Sequence, residues 1–80
     1  MNKITRLSEL QRLVTAYAGT LTVHNYPSKI GFFQFKVTIP KTSHADSFSD
    51  EAYRSLGFFY EGGDTPDTFE RNGSEFIFAI

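Results

Sequence analysis

The Asn72-Gly73 pair near the end of the chain is the feature that most constrains the fold. It lies between the segments TFER and SEFIFAI, which are rich in residues that favour β-strands. Asn-Gly adopts the left-handed backbone of a type I′ turn readily, so the pair predicts a two-residue β-hairpin loop. An antiparallel pair of strands is therefore expected in the C-terminal part of the fold.

A two-residue loop also predicts which residues of the hairpin face each other. The expected pairs are Arg71 with Ser74, Glu70 with Glu75, Phe69 with Phe76, and Thr68 with Ile77. The aromatic pair would favour the hairpin, whereas directly opposed carboxylates would disfavour it. We expect these two carboxylates to be solvated, to be neutralised by Lys36 or a neighbouring arginine, or to form part of an acidic contact surface.

The N-terminal segment predicts an amphipathic helix that starts between residues 3 and 8 and ends at residue 18. Its hydrophobic residues recur at intervals of three and four, at Ile4, Leu7, Leu10, Val14 and Tyr17. Gly19 is expected to end the helix in the left-handed conformation, because glycine adopts it without a Cβ penalty.

A hairpin of two paired strands is predicted next, at residues 20–26 and 32–39, with a turn at residues 27–31 between them. The second strand alternates clearly and has one buried face, made of Phe33, Phe35, Val37 and Ile39. Pro40 ends this strand, because proline has no N–H to donate to a neighbouring strand.

The second half begins with a polar segment, residues 40–49, which predicts a loop. A short helix is then expected at residues 50–56, capped by Ser47 or Ser49, with Gly57 ending it. Residues 58–61 predict a short strand, and the Gly- and Asp-rich residues 62–67 predict a turn.

The predicted order of elements is α-β-β-α-β-β-β over one α+β domain, residues 1–80. This pattern is typical of an antiparallel sheet with the helices packed on one face. The protein has 80 residues with nine Phe, four Tyr and no Cys. A small core packed with aromatic side chains is therefore expected, without disulfides or thiolate metal sites.

The sequence contains no apolar run long enough to span a bilayer and no signal-peptide pattern. We therefore expect a soluble, cytoplasmic protein. It also contains no phosphate-binding glycine loop and no nucleophile elbow. His24, His44 and Asp46 are too weakly grouped to predict a metal site. The sequence accordingly predicts a protein that is not an enzyme and has no cofactor.

The near-neutral net charge hides a strong asymmetry between the two halves of the chain. Residues 1–41 carry six basic residues and one acidic residue, a balance of +5, whereas residues 42–80 carry two basic and eight acidic residues, a balance of −6. Such asymmetry indicates either ion pairs between the halves or a negative patch that attracts a positively charged partner.

The predicted contact surface lies in the acidic and aromatic C-terminal half. Its candidate partner-binding residues are Tyr60, Glu61, Asp64, Asp67, Glu70 and Glu75. Neighbouring strand residues point to opposite faces, so one residue of Phe32-Phe33 and one of Phe58-Phe59 must face away from the main core. Exposed aromatic residues beside an acidic rim favour a protein partner with a basic surface.

Two alternatives of other classes stay open. The first is a single-stranded nucleic-acid-binding module, in which Phe32 would stack on bases and Lys29, Lys36 and Lys41 would contact phosphates. The second is a homodimer in which two copies complete one small-molecule pocket.

In its general type, as a small motif-free domain without cysteine, the protein resembles phage-encoded inhibitors of bacterial defence systems, anti-CRISPR proteins included. The resemblance implies a stoichiometric inhibitor that binds a larger macromolecular complex, including a complex that binds nucleic acid. It rests on no specific residues.

Overall fold

The computed structural model describes residues 3–25 and 31–80. The helices and strands of this part are α1 (Lys3–Ala16), β1 (Thr20–Asn25), β2 (Gln34–Thr38), α2 (Thr42–Arg54), β3 (Phe59–Tyr60), β4 (Thr68–Asn72) and β5 (Glu75–Ala79). The predicted end of the first strand at Tyr26 and most of the predicted turn, residues 27–30, lie outside the described residues. Neither helix of this part is long and apolar enough to cross a membrane.

The strands form one five-stranded sheet in the order β1-β2-β5-β4-β3. The α+β class is confirmed, but the expectation of a purely antiparallel sheet is wrong. Three strand pairs are antiparallel, whereas β3 and β4 run parallel. The reason is that residues 61–67 do not turn straight back after β3. They cross over the sheet, so that β4 starts in the same direction as β3.

The crossing segment, residues 61–67, lies on the sheet face opposite the helices, which we call the open face. Gln34 points to this face, and its Nε2 donates a hydrogen bond to the Gly63 carbonyl at 2.7 Å. Gly63 has a φ of 68°, and a Cβ at this position would lie 2.6 Å from the Ile77 carbonyl oxygen. Only glycine lets the segment approach so closely. Ala79, on the same face, is fully buried.

The core lies on the other face and is centred on Phe78 of β5. The Phe78 ring stacks on Phe69 with centroids 5.0 Å apart, and meets Phe58 edge-on at 4.9 Å. Phe48 and Phe76 complete the group at 5.8 and 6.1 Å. The helices bury residues in the same core, namely Leu10, Val14, Ala45, Phe48 and Ala52. Both helices therefore pack on one face of the sheet.

The predicted pairing of the first two strands is confirmed. β1 and β2 are antiparallel, with Leu21 opposite Val37 and Val23 opposite Phe35. Phe35, Val37 and Ile39 are buried, as their alternation predicts. The register of the pair shifts between Val23 and Asn25, as at a β-bulge or similar irregularity.

The C-terminal hairpin exists as predicted, but its predicted register is wrong. Asn72 pairs with Glu75, so Gly73 and Ser74 are the central turn residues. Gly73 has a φ of 64° and Ser74 is not left-handed, which is typical of a type II′ turn. The observed pairs are Asn72 with Glu75, Arg71 with Phe76, Glu70 with Ile77, and Phe69 with Phe78. This register separates the two carboxylates that the type I′ turn would have opposed.

Helix α2 begins eight residues earlier than predicted, at Thr42 instead of Asp50. The predicted loop at residues 40–49 is therefore wrong. Ala45, Phe48 and Ala52 explain the longer helix, because their spacing places them on one face, and all three are buried. Lys41 is the N-cap residue, without a capping side-chain hydrogen bond, so neither predicted serine cap is used.

Helix α1 also ends differently from the prediction. Ala18, with a φ of 55°, has the left-handed conformation, and Gly19 does not. Gly19 is instead packed tightly, since a Cβ there would lie 2.7 Å from Ile39 Cδ1 and 2.9 Å from the Thr38 carbonyl oxygen. The glycine is thus required by close packing of the α1–β1 connection on the end of β2, and not by its φ angle.

Arg6 connects α1 to the end of α2 and to the crossing segment. Its side chain is 11% exposed and forms an ion pair of 3.1 Å with Asp67. A second guanidinium nitrogen donates to the Leu56 carbonyl, and the guanidinium carbon lies 4.0 Å from the centre of the Phe58 ring. Asp67 has a left-handed backbone, with a φ of 68°. Arg6 therefore stabilises a connection that is strained by itself.

Substitution of Gly19 by alanine should destabilise the protein. The added methyl group must displace Ile39 or the Thr38 backbone, and overpacking of this kind costs about 1–3 kcal/mol in the free energy of unfolding. Urea denaturation of the wild type and the Gly19→Ala variant measures the change. The control is Ala18→Gly, which should leave stability equal or higher because it relieves a left-handed alanine. Equal midpoints for wild type and Gly19→Ala would refute the packing argument.

Substitution of Arg6 by alanine should cost about 1–3 kcal/mol, because it leaves the Leu56 carbonyl and Asp67 without their partner. Arg12 is an exposed arginine on the same helix without an ion pair in the described structure, so Arg12→Ala should change stability by less than about 0.5 kcal/mol. A double-mutant cycle with Asp67→Ala isolates the Arg6–Asp67 contribution. Equal losses from the two arginine substitutions would contradict the role of Arg6.

Candidate functional site

Strand β3, at one edge of the sheet, exposes two neighbouring aromatic side chains. Phe59 is 57% exposed and Tyr60 is 58% exposed. Tyr60 lies on the core side of the strand, where its ring meets Phe69 edge-on at 5.1 Å. Phe59 points to the opposite face, because successive strand residues alternate. The preceding Phe58 is buried, so the expectation that one residue of this doublet faces outward is confirmed.

Three carboxylates border this edge and are exposed: Glu61, Asp64 and Glu70. None of them has an ion pair or side-chain hydrogen bond within residues 3–25 and 31–80. The Glu61 amide donates to the Phe59 carbonyl at 3.1 Å, a tight turn that keeps the first carboxylate beside β3. The crossing segment brings Gly63 against the Glu70 backbone nitrogen. Its neighbour Asp64 is thereby placed near β4.

We call the five residues Phe59, Tyr60, Glu61, Asp64 and Glu70 the β3 edge surface. Four of them are among the six residues predicted from the sequence. Phe59 is absent from that prediction, although the Phe58-Phe59 doublet requires one outward-facing ring and so contains the information. The surface combines apolar area with negative charge that no neighbouring side chain of the described structure neutralises.

The other two predicted residues lie in ion pairs. Asp67 is held by Arg6, as described above. Glu75 Oε2 lies 3.3 Å from Lys36 Nζ across the open face of the sheet, so Glu75 is neutralised by the lysine that the sequence suggested. Both side chains are about half exposed. Their contribution to the negative surface is therefore smaller than that of the unpaired carboxylates.

These two ion pairs also join the basic half of the protein to the acidic half. Oppositely charged residues of the two halves are therefore close together in the folded protein. This agrees with the interpretation that the charge asymmetry leads to ion pairs between the halves. Two further pairs, Arg71 with Asp46 at 2.6 Å and Arg54 with Asp50 at 2.7 Å, use the basic residues of the acidic half. Of the carboxylates of this half without an ion pair in the described structure, Glu51 accepts a hydrogen bond from the Tyr17 hydroxyl, and Glu61, Asp64 and Glu70 lie on the β3 edge surface.

The open face of the sheet carries a shallow depression of about 170 Å³. It is lined by His24, Lys36, Glu70, Asn72, Glu75, Phe76 and Ile77. Small-molecule sites usually occupy roughly 300–1,000 Å³ and enclose most of the ligand. This depression is smaller than that range.

The two histidines lie on separate elements, His24 on β1 and His44 on α2. No group of three metal-ligating side chains occurs within the described ranges. The His44 ring meets Tyr17 edge-on at 6.0 Å. The Tyr17 hydroxyl donates a hydrogen bond to Glu51, and this bond, with burial and the carboxylate charge, raises the pKa of Tyr17. The Tyr17 contacts join the segment that follows α1 to α2 and have a structural role.

The residues of the nucleic-acid alternative are not brought together. Lys36 lies in the middle of the open face and is paired with Glu75, whereas Lys41 precedes α2 beyond the end of β2. Phe32 is half-buried, and Lys29 lies outside the described residues. A stacking platform next to a continuous basic groove, which single-stranded nucleic acid requires, is not formed by Phe32, Lys36 and Lys41.

Comparison of the sequence and structure with protein-family models, with curated proteins and with solved structures finds no match. In the described structure, the feature that distinguishes one part of the surface from the rest is the combination of exposed aromatic rings and unpaired carboxylates along β3.

Proposed function

We propose that the protein is a non-enzymatic protein-binding module whose β3 edge surface contacts a basic surface of its partner. The observation that carries the proposal is the exposure of Phe59 and Tyr60, both more than half accessible, next to three unpaired carboxylates. Large aromatic side chains are enriched at the centres of protein interfaces, where they supply most of the binding energy.

The aromatic rings and the carboxylates of this surface have different proposed roles in binding, which follow from their chemistry. The two rings supply apolar area that is removed from water on binding, which provides affinity. Glu61, Asp64 and Glu70 supply a negative field that accelerates encounter with a positively charged surface and disfavours acidic partners. Because the carboxylates have no cation of their own in the described structure, pairing with a partner's Arg or Lys breaks no internal ion pair.

The finer proposal concerns the kind of partner. A negatively charged protein surface competes with nucleic acid for the same Arg and Lys side chains. We therefore propose that the partner is a larger, nucleic-acid-binding complex and that the protein inhibits it stoichiometrically by occupying its basic surface. Phage-encoded inhibitors of bacterial defence systems, to which the sequence bears a general resemblance, act in this class of role.

The charge-reversed variant Asp64→Lys/Glu70→Lys should lose its partner. The test is affinity capture from a bacterial lysate, with quantitative mass spectrometry of the retained proteins. A protein retained by the wild type and lost with the variant is expected, because the reversal turns attraction of a basic surface into repulsion. Added oligonucleotide should displace the same protein, since it competes for the basic surface.

The matched control is Glu9→Lys/Asp50→Lys, which changes net charge by the same amount on the two helices. It removes only an exposed ion pair between Asp50 and Arg54, which contributes little to stability. This control should retain the partner. If both variants lost the partner equally, net charge alone would explain the loss, and the proposed surface would be contradicted. Salt-sensitive binding of a labelled single-stranded oligonucleotide by the protein itself would favour the nucleic-acid alternative.

Substitution of the exposed ring at Phe59 should weaken the captured complex strongly. Phe59→Ala removes the exposed ring that points to the open face, and central aromatic residues are worth about 2 kcal/mol or more. We expect affinity to fall by roughly thirtyfold or more, measured by calorimetry with the captured partner. The control is Tyr53→Ala, which removes an exposed ring on α2 outside the β3 edge surface and should leave affinity unchanged. Equal effects at the two positions would argue against a contact centred on β3.

A further inference from the structure

The hairpin end carries a reactive dipeptide that neither the core nor the β3 edge surface uses. Asn72 is exposed, and its side chain makes no hydrogen bond within the described structure. The following Gly73 N–H also has no acceptor there, since Gly73 is the first central residue of the turn and its φ is 64°. No atom outside its two neighbours lies within 4 Å of the point that a Gly73 Cβ would occupy.

Asn25 provides an internal comparison. It is exposed and lies near a strand end, like Asn72, but its Nδ2 donates to Gln34 Oε1 at 2.7 Å. The residue that follows Asn25 in the sequence is Tyr26. A side chain on the following residue hinders attack by that residue's backbone nitrogen on the side-chain carbonyl carbon of the asparagine. Asn72 differs in both respects, because its amide is free of hydrogen bonds to the described residues and its successor has no side chain.

We propose that Asn72 is a site of spontaneous deamidation in the folded protein. Base removes the Gly73 amide proton, and the nitrogen attacks Cγ of Asn72. A new bond between this nitrogen and Cγ closes a five-membered succinimide, while the bond between Cγ and Nδ2 breaks and ammonia leaves. Water then opens the ring at either carbonyl and yields aspartate or isoaspartate. The net change is the gain of one water molecule and the loss of one ammonia molecule, without an oxidant or cofactor.

The reaction would alter the open face of the sheet. Asn72 lines the same depression as Glu70 and Glu75. Aspartate at this position adds a third carboxylate to that depression, which Lys36 also lines. Isoaspartate instead adds a methylene group to the main chain, at the residue that sets the register of the hairpin through its pair with Glu75. This inference is independent of the proposed binding function.

The test is timed incubation of the purified full-length protein at mildly alkaline pH, followed by proteolysis and mass spectrometry of the peptides that contain Asn72 and Asn25. In the folded protein, we expect conversion at Asn72 to exceed that at Asn25 by roughly tenfold or more, the factor given by a barrier difference of about 1.4 kcal/mol. The same incubation in denaturing urea gives the reference rate of the unfolded protein. The Asn72→Gln variant should lose the acidic product that ion-exchange chromatography resolves.

Each outcome bears on the proposal. Conversion at Asn72 in the folded protein, with Asn25 intact and the acidic product absent from Asn72→Gln, supports it. Conversion at Asn72 only in urea would show that the hairpin protects the residue and would overturn the proposal. Equal rates at the two asparagines in the folded protein, or an unchanged acidic product from Asn72→Gln, would overturn it as well.

Discussion

The packing of aromatic rings around Phe78 joins the C-terminal half of the protein into one core. Phe48 brings α2 onto the sheet, Phe58 anchors the segment after α2, and Phe69 and Phe76 come from the C-terminal hairpin. An 80-residue protein buries only about 60–65% of its unfolded surface, so few residues must supply most of the apolar burial. Phenylalanine suits this constraint, because each ring buries roughly 150–250 Å² and edge-on contacts add to that burial.

Arg6 covers the aromatic core next to Phe58. Its guanidinium lies over Phe58 and satisfies the Leu56 carbonyl, one of the acceptors left free after α2. The same group pairs with Asp67, whose backbone forms hydrogen bonds to both neighbours of the crossing segment: its N–H donates to Ala79 and its carbonyl accepts from Phe59. One side chain thus holds together the end of α2, the start of β3 and the segment that makes the sheet mixed.

The sequence predicts those parts of the fold in which local preference and burial agree. The alternation around Phe35 is confirmed because the same residues favour strand and core. The hairpin at Asn72-Gly73 is confirmed as an element, but an Asn-Gly-Ser sequence suits both a type I′ and a type II′ turn, and only the pairing of distant side chains selects between them. The start of α2 escapes prediction because the buried Ala45 is small and lies among polar residues, where tertiary packing outweighs local composition.

The candidate surface is only partly predictable because it depends on how β4 follows β3. A parallel connection usually needs a dozen residues or more, yet here residues 61–67 suffice. They suffice because Gly63 lets the backbone lie directly on the sheet. That crossing places Glu61 and Asp64 beside Glu70. The sequence alone assigns these three residues to separate elements, namely a short strand, a turn and the C-terminal hairpin. The close approach at Gly63 therefore permits the short parallel connection, which in turn brings the unpaired carboxylates together along β3.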